Sequence, residues 1–548
     1  MRPRRGFKKG RLLTATSLVI VCAVPAFSGQ PCAGCHPREV QGFLATPMAH
    51  SMGPPGRGPS GTFYHSASGT RFTIRSSTDH MTQRMERDGL ASQYSIAYSV
   101  GSGAHAVSYV IQVGDHLFES PLSYYAGSGW GMSPGYDNLK APDFYRAVRP
   151  QCLFCHVGEA LPIAGTLNAY RNPPFAAEAI SCERCHGPAT AHLRKPIPGS
   201  IINPRKLPPR ARDSVCEQCH LGGEVRIPNP GKQITDFHAG ENLEDAYSVY
   251  VYQSSRRSAN PNALTIISQS QQLALSQCAQ KSGDKLWCGS CHDPHALPKN
   301  PVAYFRARCL HCHGAALLTS HPKPNQDCFA CHMPRLPAGR GGHTIFTDHR
   351  IAIYTPRELT ALRAASLVNG SAPATNEDEL VPWHDPPPRF AERNLGLAYA
   401  RVGRQLELLP FIGRGYQLLF SARNDFPNDP VLLRAMGQII SGTKAEAGAE
   451  ALFDKALAAE PNSALVYDDM ALAAENAGDN QKAIKYLEKT LQLDPFLVAP
   501  YQDLARLYAA NYQLGLAHET YVRFLKAFPE NIEAKRGVLR SSGPFLHR

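Results

Sequence analysis

The pattern Cys-x-x-Cys-His occurs seven times in this chain: Cys32/Cys35/His36, Cys152/Cys155/His156, Cys182/Cys185/His186, Cys216/Cys219/His220, Cys288/Cys291/His292, Cys309/Cys312/His313 and Cys328/Cys331/His332. Two cysteines three positions apart lie on one face of a single helical turn, so both thiols can bond the two vinyl groups of one porphyrin. The histidine that follows is carried under the ring, where its imidazole can bind iron. This pentapeptide is the attachment signature of covalent haem c. With 16 Cys and 22 His in 548 residues, composition alone predicts roughly 0.02 matches. Zinc ribbons and disulfides also use paired cysteines, but neither explains a histidine directly after the second cysteine every time. Seven covalent haems are therefore the expected cofactor set.

What the irons can do depends on their second axial ligand: histidine on both sides favours electron transfer, and an open side admits substrate. His192, His295, His343, His349, His321, His238, His50 and His65 form a plausible distal set. His295 follows His292 by three positions, so the porphyrin plane separates it from the far face of its own haem, and it must serve a neighbour. His311 lies inside its own motif and is weaker. His80, His105 and His116 fall in a strand region with no supporting pattern, and His518 and His547 belong to the C-terminal helices. Eight candidates for seven irons could fill every site, which favours electron transfer. No Cys-x-x-Cys-Lys occurs, so a lysine-ligated catalytic haem of the kind found in pentahaem nitrite reductases has no support. The rival is a multihaem oxidoreductase acting on a small nitrogen or sulfur compound at one open haem. Cys278 belongs to no motif; it is either an inert thiol or a thiolate that ligates haem or enters sulfur chemistry.

The elements that must position these groups divide the chain. Arg2, Arg4, Arg5, Lys8, Lys9 and Arg11 precede an apolar run from Leu12 to Val24 and small residues at Ala26 and Ser28, which reads as an export signal over 1–28. That run is short of the ~20 residues of a membrane span, and no later stretch is apolar enough, so a protein exported to the periplasm or beyond is expected. Six of the charges behind the net +12 lie in this leader, leaving +6. Some fourteen haem propionates would offset the remainder, so the basic balance does not point to nucleic acid. Period-two alternation at Tyr94, Ile96, Tyr98 and Val100, then Val107, Tyr109, Ile111 and Val113, with a turn at Gly114-Asp115, predicts a small antiparallel β insertion over about 60–140. Its expected role is to cover haem edges, with Tyr124, Tyr125, Trp130 and Tyr136 able to line a pocket.

From Cys152 to His332 there are about thirty residues per motif, too few for an ordinary apolar core, so secondary structure should be sparse and the porphyrins should serve as core. A linker is expected over 356–388, closing on Pro386-Pro387-Pro388. Beyond it Pro427, Pro461, Pro495 and Pro529 recur every 34 residues, the tetratricopeptide period, with small residues at Gly437, Ala471 and Ala505 and at Ala449, Ala483 and Ala517. Residues 389–548 should form an α-helical solenoid of about four repeats, the first degenerate, able to bind a redox partner.

The runs Cys182-Glu-Arg-Cys-His-Gly-Pro with His192, Cys288-Gly-Ser-Cys-His-Asp-Pro-His295, and Cys328-Phe-Ala-Cys-His-Met-Pro with His343 and Thr347-Asp348-His349-Arg350-Ile351 resemble exported multihaem c-type cytochromes fused to tetratricopeptide repeats. The haem part, 29–355, is similar to the tetrahaem carrier that accepts electrons in hydroxylamine oxidation. The resemblance implies a mixed fold, a multihaem domain followed by a solenoid, and redox work whose reaction it does not name.

Overall fold

The alternation past residue 60 folds into two antiparallel sheets. In this computed structural model, which describes residues 30–254, 268–321, 327–337, 345–367, 378–443 and 446–542, the insertion begins earlier than expected, at β1 (Met52–Gly53). Strands β2 (Gly61–His65), β3 (Thr70–Ser76), β4 (Met81–Arg87) and β5 (Leu90–Ser95) make one sheet in chain order. Strands β6 (Tyr98–Val100), β7 (Ala106–Val113), β8 (His116–Tyr125), β9 (Gly129–Met132) and β10 (Arg146–Ala147) join β1 in the other, in the order β1-β6-β7-β8-β10 with β9 also on β8. Alternate residues Phe72 and Ile74 of β3 and Met81 and Met85 of β4 are buried, as a period-two face requires. The turn between Val113 and His116 puts Gly114 at φ +58°, a conformation that favours glycine. Tyr125 and Tyr136 are buried in the core; the Tyr125 hydroxyl donates to the Met132 carbonyl.

The middle of the chain carries little regular structure. Five motifs sit on single helical turns, and two close longer helices, Pro209–His220 and Pro301–His313. Short ribbons join them: β11 (Glu159–Pro162) with β12 (Tyr170–Ala177), β13 (Val225–Pro228) with β14 (Tyr247–Tyr252), and β15 (Arg335–Pro337) with β16 (Ile345–Thr347). The segment expected as a linker contains the helix Pro356–Leu367 and a strand, β17 (Leu380–Pro382), which pairs antiparallel with β14. Leu380 is buried, and its N–H donates to the Tyr399 hydroxyl, so burial fixes what composition marked as loose. The triple proline starts a helix, with Pro388 in its first turn, where a missing N–H costs nothing.

The C-terminal region is four antiparallel helix pairs and a closing helix: α1 (Pro388–Gln405) and α2 (Leu409–Ala422), α3 (Pro430–Ile440) and α4 (Glu446–Ala459), α5 (Ala464–Asn476) and α6 (Asn480–Leu493), α7 (Val498–Ala510) and α8 (Leu514–Ala527), then α9 (Ile532–Ser541). The recurrent prolines lie in the turns that separate the pairs. Ala449, Ala471, Ala483, Ala505 and Ala517 are all buried between helices, and a Cβ on Gly437 would stand 2.6 Å from the Phe453 ring.

This solenoid is held at both ends. Its first helix packs on the sheet β13-β14-β17, and its last pairs pack on the β insertion, where Phe118 meets Phe528 edge-on at 5.5 Å and Arg87 pairs with Glu533 at 2.7 Å. His116 stacks on Phe496 at 4.1 Å and lies 3.7 Å from Asp494. One face of the insertion is thus given in large part to the repeats. The leader 1–28, Cys22, His343 and His547 lie outside the described residues, and among the described residues no helix is long and apolar enough to cross a bilayer.

One carboxyl in the solenoid titrates in an accessible range. Burial first, and then Asp469 and Asp503, push Asp468 up to about 6. A folded pKa above the unfolded one means that the native state favours the proton, so Asp468 costs stability as pH rises from about 4 through 6, and the full cost is present at neutral pH. Asp468→Asn is expected to raise stability by about 1–2 kcal/mol at pH 7 and by almost nothing near pH 4. Thermal unfolding followed across that range checks it; an equal gain at both ends would refute the assignment.

Candidate functional site

The motif backbone is helical for a local reason: the N–H of the histidine bonds the carbonyl of the first cysteine, at 2.8 Å for His36 and 2.9 Å for His186 and His292. That turn sets the two cysteines on one face. Among the described residues no disulfide joins any of the motif cysteines.

Their burial is uneven. Cys35 and Cys331 are exposed, as are Cys152, Cys309 and Cys312, while the other motif cysteines are half-buried. The first turn shows the reason. Cys35 follows the short helix Gln30–Ala33, its N–H donates to the Cys32 carbonyl at 3.1 Å, and residues 33–39 around it are exposed as well. Cys331 is placed alike, on the single-turn helix Cys328–His332, with Ala330 and His332 beside it at partial or full exposure. At both turns the polypeptide is too sparse to enclose two thiols, so one of each pair stands at the surface.

Four motif histidines each face a histidine from elsewhere in the chain. Ring centres are 6.4 Å apart for His36 and His192, 5.8 Å for His186 and His295, 6.3 Å for His292 and His349, and 6.1 Å for His332 and His321. An iron held by two imidazoles has bonds of about 2.0 Å on each side and ring centres roughly 1.1 Å beyond each nitrogen, which places those centres about 6.2 Å apart. The four gaps fit that span. The Nδ1 atoms are engaged as well: His186 with the Ile202 carbonyl at 2.8 Å, His332 with the Ala352 carbonyl at 2.9 Å, His349 with the Thr347 carbonyl at 2.9 Å, and His192 with the Ser200 hydroxyl at 2.8 Å. A carbonyl can only accept, so the proton of the first three rings sits on Nδ1 and leaves Nε2 free for a metal. Burial, with neighbouring imidazoles adding to it, lowers the pKa of His186 and His292; burial likewise lowers His349, keeping these rings in the neutral form a metal requires.

The supporting shell explains why these rings stay put. Glu183, inside its motif, accepts from the Ala189 N–H at 2.8 Å and so ties down the loop that carries His192. Asp348 accepts from Arg350 and from the Tyr354 hydroxyl at 2.7 Å, while the His349 N–H donates to Gln272 at 2.8 Å. The loop that bears His295 crosses so close to Gly42 that a Cβ there would lie 2.1 Å from the His295 carbonyl.

The remaining candidates are placed differently. His65 has both ring nitrogens engaged inside the β insertion, with Ser68 Oγ at 2.7 Å and the Asp137 carbonyl at 2.9 Å, which leaves none for iron. His238 is exposed beside Glu241, 3.9 Å away. His50 is exposed, and its carbonyl accepts from Arg57. His313 ends the helix Pro301–His313 at the surface, His220 contacts Gln269 at 3.3 Å, and the His156 carbonyl accepts from Ser51 at 2.7 Å. Cys278 lies in the helix Gln277–Ser282, within electrostatic reach of Cys291 and Cys309.

No protein-family model matches the chain, and no curated protein matches it. Among solved structures the neighbours are tetratricopeptide-repeat proteins. A MamA RS-1 double mutant is 19% identical over 26% of this chain and 75% of its own, with a TM-score of 0.23. PilF of Pseudomonas aeruginosa is 18% identical over 28% and 68%, with a TM-score of 0.24, and the Cut9-Hcn1 hetero-tetramer of APC/C is 22% identical over 28% and 32%, also at 0.24. Scores this low carry no argument, and the repeat assignment rests on the helix pairs and the 34-residue spacing above.

Residues between the motif cysteines do work that the spacing did not reveal. Arg184 Nη2 donates to the Phe154 carbonyl at 2.8 Å, Gln218 Nε2 donates to the Arg184 carbonyl at 3.1 Å, and Cys155 Sγ donates to the Gln218 carbonyl at 3.7 Å. Three motifs are thereby joined in a closed triangle, with the Arg184 guanidinium 4.0 Å over the Phe154 ring. Arg226 reaches both the Gln218 carbonyl, at 3.2 Å, and Cys155 Sγ, at 3.8 Å. The signal available was polarity, since Glu183-Arg184 and Glu217-Gln218 are unusually polar for positions that would lie against a porphyrin.

Proposed function

We propose that this chain is an extracytoplasmic seven-haem c-type electron carrier whose solenoid docks a redox partner. The observation that carries the reading is the set of four gaps of 5.8–6.4 Å between a motif histidine and a histidine outside the motifs. Bound haem would supply one-electron chemistry by cycling between ferric and ferrous iron. The chain's own part is to tether through the paired cysteines, to hold neutral imidazoles on both sides, and to fix His186, His192, His332 and His349 by a bond at Nδ1. The partner role is supported by a groove of about 850 Å³ on the solenoid, lined by apolar Leu457 and Met470, by Tyr467, and by charges of both signs, Asp454, Lys485 and Lys489 among them.

Intact mass of the exported protein tests this. The expected mass exceeds the mature polypeptide by seven haems, and Cys182/Cys185→Ala lowers the count to six with loss of about one seventh of the visible absorbance. A colourless or zinc-loaded protein overturns the reading.

A further inference from the structure

Seven attachment turns have an order only if their contacts define one. The side chains of Cys32 and Cys182 lie within reach of each other, as do those of Cys155 and Cys219, of Cys216 and Cys288, and of Cys309 and Cys328. Cys291 lies within electrostatic reach of Cys312, which joins the last two turns to the rest. One turn stands out. In Cys216–His220 the Gln218 carbonyl accepts from Cys155 Sγ at 3.7 Å and Gln218 Nε2 donates to the Arg184 carbonyl at 3.1 Å, while Cys216 lies within reach of Cys288.

We propose, resting on the haem reading above, that the Cys216–His220 turn is the junction through which electrons cross between two groups of three sites. One group is Cys152–His156 and Cys182–His186, already bound to each other by Arg184 and Phe154, with Cys32–His36 reached through Cys182. The other is the series Cys288–His292, Cys309–His313 and Cys328–His332. Haems tethered at cysteines of adjoining turns would be held next to one another, where one-electron exchange, which falls steeply with distance, would be favoured. Each step moves one electron from a reduced site to an oxidised one; no proton or bond changes, and the external donor and acceptor are one-electron carrier proteins. The arrangement gives the chain a control point: the potential of a single site sets traffic between its halves.

Two measurements on the holoprotein decide it. Iron positions from anomalous diffraction of the wild-type protein are expected to give the Cys216 iron three near neighbours, those of Cys152, Cys182 and Cys288. A Cys288 iron nearer to that of Cys182 than to that of Cys216 overturns the junction. In stopped-flow reduction, Cys216/Cys219→Ala with six haems by mass is expected to fill in two phases of three sites each, at rates at least an order of magnitude apart. Cys32/Cys35→Ala is expected to fill as the wild type does, and one common phase in both variants refutes the proposal. If the junction variant does not assemble, the iron positions alone decide. A wild-type protein without seven haems overturns the underlying reading and is told apart by mass before either measurement.

Discussion

Replacing His295 with alanine is expected to turn one site in seven from low-spin to high-spin and to open it to small ligands. His295 faces His186 with ring centres 5.8 Å apart and planes 25° from parallel. His186 is fixed by the Ile202 carbonyl and kept neutral by burial, so it would remain on the iron when its opposite vanishes. An open face then remains. Electron paramagnetic resonance of the oxidised protein should show the high-spin signal rising by about one seventh of total iron over the wild type, and cyanide should remove the increase. A wholly low-spin variant would take His295 off the metal. Gly42→Ala offers an independent route to the same site: its Cβ would stand 2.1 Å from the His295 carbonyl and push the loop away without touching a ligand. A smaller high-spin fraction is expected there, rising with temperature as the loop loosens. The same spectrum of the unmodified protein separates carrier from enzyme, because a ligand-responsive high-spin fraction in the wild type favours a site that binds substrate.

What could be read from the residues divides by the range of the interactions involved. Motif turns and the 34-residue repeat are local patterns: an i to i+4 hydrogen bond and a helix-pair period need no knowledge of the rest of the chain. How deeply each turn sits is not local, and the surface position of Cys35 and Cys331 has no counterpart in a pentapeptide that reads the same at all seven sites. Distal histidines are likewise a matter of long-range placement. His192, His295, His321 and His349 all lie within about twenty residues after a motif, which made them visible, yet each faces a motif other than the one it follows. His65 fits the same composition but belongs to a strand whose neighbours occupy both its nitrogens. Leu380-Val381-Pro382 is too short for periodicity, and only its pairing with β14 makes it a strand. The contact between the β insertion and the last repeats left no local mark, since complementary faces such as Phe118 and Phe528 are each ordinary apolar residues until they meet.

Arg393→Met is expected to cost about 3–5 kcal/mol, the largest stability loss of any single change considered, because it strands a buried carboxylate. Arg393 is 2% exposed. Its Nε donates to Asp429 at 2.9 Å and its Nη1 to the Pro228 carbonyl at 2.6 Å, while Asn394 beside it bonds Asn229 at 2.9 Å and Ser248 at 3.1 Å. One guanidinium thus bridges α1, the Asp429 cap of α3 and the end of β13, the seam between repeats and motif region. Asp429 also accepts from the Val431 and Leu432 N–H groups, so losing its cation disturbs the cap of α3 as well. Arg506→Ala provides the contrast: its pair with Glu475 is half-exposed, and its loss should stay within about 1 kcal/mol and shrink with salt. Urea unfolding of both variants checks the difference. Hydrogen exchange adds location, with faster exchange expected in β13 and β14 for Arg393→Met alone. A second contact crosses the seam: Arg401 of α1 donates to the Arg226 carbonyl, at 3.2 Å, and Arg226 in turn reaches Cys155. If the solenoid docks a redox partner as proposed, the seam fixes that partner relative to the motif region, so Arg393→Met should slow partner-driven reduction more than reduction by a small soluble reagent. Equal slowing with both would place the partner elsewhere.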